Sequence, residues 1–115
     1  MIIKLGNLQA LRNKGISIHA INQREIVVLA DGKNFHAFDR LCPHAKGDLA
    51  KARFADGCLV CENHGLKFNL LDGSLDYSEL DEDIRESLNT ETPAKYRLRV
   101  YATQIQGDCL WLDFD

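Results

Sequence analysis

Two short segments, sixteen residues apart, constrain this chain more than any other feature. Cys42-Pro43-His44 precedes Cys61-Glu62-Asn63-His64, giving the spacing C-x-H-x16-C-x2-H. Each segment brings one thiol and one imidazole close together beside a stretch that reads as a strand. Two such knuckles facing each other make a four-ligand S2N2 site, a donor set that suits tetrahedral zinc or a 2Fe–2S cluster. Zinc fingers usually pair like with like, two Cys on one knuckle and two His on the other. Here each knuckle carries one of each. A mixed arrangement suits a dinuclear cluster with chemically distinct irons, each loop sending its Cys to one and its His to the other.

The cysteines admit two other readings. Cys42, Cys58, Cys61 and Cys109 are the four in the chain, and four cysteines allow three disulfide pairings. The N-terminus MIIKLGNLQALRN lacks the apolar run of a signal peptide, which predicts a cytoplasmic protein whose cysteines stay reduced or bind metal. Cys58 and Cys61 form a C-x-x-C, but GCLVC reads as a strand, so residues three apart point to opposite faces. No helix signal follows, and a thioredoxin-like pair is rejected.

The rest of the chain reads as β-structure. Segments rich in β-branched and aromatic residues recur at Ser17–Asn22, Glu25–Ala30, Phe35–Phe38, Cys58–Cys61, Leu66–Leu70, Tyr96–Thr103 and Leu110–Phe114. Asp31-Gly32 predicts a tight hairpin, and Asp56-Gly57, Asp72-Gly73 and Gly107-Asp108 punctuate the remainder. YRLRVY alternates as a strand does when one face meets the core and the other meets water. Spacing of this kind predicts an all-β fold, a small antiparallel sandwich or barrel.

One region departs from that pattern. Asp76–Glu91 carries seven acidic residues against one basic residue, Arg85. Apolar residues at 80, 84 and 88 fall on one helical face. The expectation is a short surface helix on a long connection, serving either solubility or docking.

With 115 residues the chain is expected to be a single domain over 1–115. Its net charge of -3, without a basic stripe, argues against nucleic-acid binding. No stretch approaches the ~20 apolar residues of a membrane span.

The residues around the knuckles resemble those of the Rieske ferredoxins. ADGKNFHAFDRLCPH is similar to that family's approach of turn, aromatic strand, Asp and C-P-H. Leu49 and Gly57-Cys58-Leu59-Val60 stand where the family has a Leu and a Gly-led strand. HGLKFNLLDGS resembles H-G-x-x-F-[DN]-x-x-[TD]-G, and the final YRLRVY and CLWLDF resemble the closing hairpin. The resemblance implies a Rieske-type fold with one 2Fe–2S cluster held between two loops. It implies Cys42 and Cys61 on one iron, and His44 and His64 on the other.

Departures from the family refine the expectation. Quinol-oxidising Rieske proteins carry two further cysteines that clip the loops together; Gly47 and Asn63 stand there instead. Those proteins also have a Ser and a Tyr whose hydroxyls donate to cluster sulfurs, and here Leu66 and Phe68 occupy the positions. Losing donors that stabilise the reduced cluster predicts a potential near the ~-150 mV edge of the Rieske range. The stretch after the second knuckle is longer and more acidic than the family's proline-rich cover, with Pro93 its one proline.

The resemblance implies a one-electron carrier between a flavin-dependent reductase and a terminal oxygenase, acting as a monomer through transient contacts. The alternative is a Rieske-like small subunit of a larger oxidoreductase such as an assimilatory nitrite reductase. Catalysis by the chain itself is not expected, because oxygenases need a separate site of two His and a carboxylate. His19 and His36 are expected to be structural, Cys58 and Cys109 small buried hydrophobes, and Trp111 core or edge packing. Gly65 is expected to permit a tight turn at the cluster. Leu41, Pro43, Leu66 and Leu49 are expected to form a dry rim around it.

Overall fold

A computed structural model describes residues 1–42, 48–55, 57–60, 67–76 and 97–114. The chain divides into two compact units. Met1–Arg40 with Val100–Asp115 form one, and Leu41–Arg99 form the other.

The first unit holds two antiparallel sheets. One joins β2 (Ile16–Ile21), β3 (Arg24–Asp31), β4 (Asn34–Asp39) and β9 (Val100–Tyr101) in that order. Its two hairpins are tight. Asp31 pairs with Asn34, and Gly32 supplies the positive φ of 59° that the turn requires. Ile21 pairs with Arg24 across Asn22 and Gln23, which adopt φ of 49° and 67° without glycine. The other sheet runs β1 (Ile2–Asn7), β11 (Cys109–Asp113) and β10 (Thr103–Gln106).

Alternation along these strands builds the core. Ile26 and Val28 of β3, Ala37 of β4, Tyr101 of β9 and Leu110 and Leu112 of β11 are buried together with Leu11. Tyr101 stacks on Phe114 at 5.8 Å between centroids. Its hydroxyl donates to Asp39 and accepts from Arg24, so the polar tip of a buried ring is satisfied.

The one α-helix among the described residues is α1 (Leu8–Lys14), within a stretch to which no element is assigned from the sequence. Its signals are short but physical. The Asn7 side chain accepts from the Gln9 and Ala10 N–H groups, and Gly15 closes the far end at φ 74° with its N–H on the Leu11 carbonyl. Arg12 lies over the Phe35 ring, 5.3 Å from its centroid. The helix expected within the acidic segment lies outside the described residues, apart from Asp76, which belongs to a strand.

The second unit contains one antiparallel sheet, β5 (Arg53–Ala55), β6 (Cys58–Val60), β7 (Lys67–Asn69) and β8 (Leu75–Asp76). A single strand over Tyr96–Thr103 does not form. The expected alternation is present, with Leu98 buried between exposed Arg97 and Arg99. However, Leu98 spends its N–H on the Gly73 carbonyl, and the ladder begins only at Val100. Ala102 then separates β9 from β10.

Candidate metal centre

Both Cys–His segments rise from backbone pairings in the second unit. Leu41 and Asp48 form an antiparallel bridge, closing the six residues 42–47 into a loop. Val60 pairs with Lys67 across β6 and β7, closing the six residues 61–66. Each loop thus contains one Cys-containing and His-containing segment, and each is stitched at its base.

Local contacts support the bases. The Asp48 carboxylate accepts from the Ala50 N–H at 3.0 Å and caps the 3-10 turn Leu49–Lys51. Leu49 in that turn is buried, so it packs inside instead of contributing to an exposed rim as expected. Leu59 and Phe68 face each other across β6 and β7, and both are buried. Beyond Phe68 the chain turns sharply. Asn69 accepts from the Leu71 N–H through its side chain and from the Gly73 N–H through its carbonyl. The Asp72 carboxylate accepts from the Ser74 N–H at 2.8 Å, a bond that holds its pKa below the ordinary carboxylate range.

Of the four expected ligands, Cys42 lies among the described residues, buried with 1% exposure. His44, Cys61 and His64 lie outside them, as do Pro43, Gly47, Asn63, Gly65 and Leu66. Leu41, expected at the rim, is 62% exposed. The remaining candidates sit elsewhere. His19 and His36 are half-buried on β2 and β4. His19 shares a 2.9 Å hydrogen bond with the Ser17 hydroxyl, and burial together with Lys14 lowers its pKa. Cys58, Cys109 and Trp111 are half-buried strand residues. The turn expected at Asp72-Gly73 forms within Asn69–Ser74, while the Asp48 cap and the Asn69 and Asp72 caps of that turn are supports missed from the sequence, although Asn and Asp commonly cap such turns.

Residues 2–87 match the family model of the Rieske [2Fe-2S] domain. The chain belongs to that family. A Rieske domain holds one 2Fe–2S cluster, and the residues here fit it on their chemistry. Two thiols and two imidazoles would supply the required donors, and Cys42, the one of the four expected ligands among the described residues, is secluded from water. A curated relative is the ferredoxin component of the alkene monooxygenase system of Xanthobacter autotrophicus. It is 27% identical over 59 residues, which are 50% of this chain and 48% of that protein. The match thus spans about half of that relative's length.

The fold is shared with several solved structures. The ferredoxin of carbazole 1,9a-dioxygenase from Nocardioides aromaticivorans IC177 superposes with a TM-score of 0.73 at 18% identity, covering 97% of this chain and 96% of that one. A Pseudomonas putida CBB5 NdmA variant with theobromine gives a TM-score of 0.73 at 15% identity, covering all of this chain but 34% of that one. No described helix is long and apolar enough to cross a membrane.

Proposed function

We propose that this Rieske domain, spanning all 115 residues, is a cytoplasmic one-electron carrier of an oxygenase system. Its donor would be a flavin-dependent reductase and its acceptor a terminal oxygenase. Cys42 and Cys61 would hold one iron, and His44 and His64 the other. The observation that carries this reading is the pair of six-residue loops, each closed by antiparallel pairing and each bearing one Cys and one His.

The 2Fe–2S cluster, when bound, supplies reversible uptake of a single electron. The chain's own residues do the rest. The Leu41–Asp48 bridge and the Val60–Lys67 pair fix the loop bases, so that little has to reorganise when charge arrives. Cys42 is kept out of solvent, which protects a thiolate from exchange and oxidation. Each imidazole that ligates through one nitrogen keeps a second for a polar contact with a partner protein. Exposed Leu41 offers a small apolar contact, in keeping with the limited interfaces of redox encounters. A carrier is favoured over a fixed subunit because the curated relative is itself a ferredoxin component and all four candidate ligand residues are present.

The test is direct. Purified protein should contain two irons and two acid-labile sulfides per chain and, once reduced, give a Rieske-type paramagnetic signal. One zinc without sulfide would overturn the assignment.

A further inference from the structure

We propose that the open edge of β2 pairs with the β2 edge of a second copy of this chain, forming a weak two-fold dimer. β2 ends its sheet, with β3 on one side and no described strand on the other. Its register with β3 runs unbroken from Ile16 opposite Leu29 to Ile21 opposite Arg24.

The hydrogen-bond phase of that register decides which groups face outward. The Ala30 N–H donates to the Gly15 carbonyl, so the ladder begins with a bonded pair at Gly15 and Ala30. Bonded pairs recur every second residue in an antiparallel ladder. Ser17, His19 and Ile21 therefore turn their N–H and C=O groups towards β3, and Ile16, Ile18 and Ala20 turn theirs to the open edge. Those same three residues have exposed side chains, Ile16 at 42% and Ile18 at 44%.

Sheet edges in native proteins are normally guarded by charge, proline, bulges or shortness. The other edge strands of the described sheets have such guards or are short. β1 has a register shift between Lys4 and Gly6, β5 begins at Arg53, and β8 and β9 span two residues each. β10 is a four-residue strand of mainly polar residues. β2 reads ISIHAI, six residues without a charge, a proline or a bulge. Its titratable residue, His19, has its pKa lowered by burial and by Lys14, which favours the neutral ring.

The outward residues are also self-complementary. Antiparallel pairing about a two-fold axis at Ile18 sets Ile18 opposite the partner's Ile18. It sets Ile16 opposite the partner's Ala20, so three bonded pairs form and every outward N–H and C=O on the strand is satisfied. The same register places Ser17 opposite the partner's His19, with no like charges facing each other. A two-fold contact of this kind is isologous and closes at two copies. One strand pair buries much less than a standard interface, so the dimer depends on concentration. The monomer expected from the sequence is then the dilute form.

Sedimentation velocity of the intact, cluster-loaded protein up to about 1 mM should show a monomer–dimer equilibrium. Ile18→Lys should weaken it at least tenfold and leave the thermal unfolding curve and visible spectrum unchanged. Ala20→Glu, at an exposed position, provides the same test if Ile18→Lys fails to fold. The axis can be read separately. Ile18→Cys should cross-link to itself on mild oxidation, because bonded pairs sit ~5.5 Å apart between Cα atoms, within disulfide reach. Ile16→Cys should not. A protein that stays monomeric throughout the series, or a dimer unaffected by both charged variants, would overturn the proposal.

Discussion

At the residue scale, the tuning of the centre turns on positions 66 and 68. Phe68 is wholly buried on β7, directly after the second loop, and its ring has no hydroxyl to donate. Leu66 equally lacks a donor. Donors to cluster sulfurs favour the reduced, more negative state, so a low potential is expected in their absence. The double change Leu66→Ser with Phe68→Tyr should raise the midpoint potential. For a single electron, the rise is about 43 mV for each kcal/mol by which the reduced form gains. Protein-film voltammetry on wild type and double variant measures it directly. An unchanged potential would mean that the new hydroxyls do not reach the sulfurs. The phenol at 68 also needs a partner in a site free of water, so the variant should lose stability if it finds none.

At the element scale, the turn after β7 carries more of the architecture than its length suggests. Gly73 adopts φ 79°, and a Cβ built there would lie 1.8 Å from the Leu98 carbonyl oxygen. That carbonyl belongs to the residue whose N–H bonds Gly73, so neither side can retreat without breaking the staple. Gly73→Ala therefore meets both left-handed strain and a backbone clash, a cost of about 2–5 kcal/mol. Because Asn69 and Phe68 lead into this turn from the second loop, the variant should bind less iron per chain as well as melt earlier. Iron analysis beside thermal unfolding by circular dichroism checks both outcomes. Strands β3 and β4 were legible from the sequence because their apolar runs flank a D-G turn. The β2–β3 turn was less so. Asn22 and Gln23 adopt positive φ with no glycine to announce it, and the paired strands impose that conformation.

For the whole molecule, charge asymmetry is the feature with consequences. Asp76–Glu91 holds a charge of -6, seven acidic against one basic, in a chain of net -3, so the rest carries +3. Charge asymmetry of this kind, where it is separated in space, can orient a protein before contact and speed association with an oppositely charged surface. Reduction by a cognate reductase should slow as salt rises, since the Debye length shrinks to ~3 Å at 1 M. Neutralising Asp81, Glu82 and Asp83 together should slow association and flatten that dependence, with the potential nearly unchanged. Stopped-flow reduction across a salt series separates this from a segment that only aids solubility, for which wild type and triple variant would show equal rates and slopes.

The sequence alone determined the family, the β-rich character and the four candidate ligands. Those properties are local, being set by residue type, short spacing and turn chemistry that a linear reading captures. Tertiary structure alone decided which strands lie at sheet edges, that Leu49 is buried, and that Leu98 staples Gly73 instead of extending a ladder. It also decided that Leu8–Lys14 is helical, because a seven-residue helix is marginal by itself and needs the packing of Leu11 into the core to persist. Each of these depends on contacts between residues far apart in the chain, where local propensity carries no information.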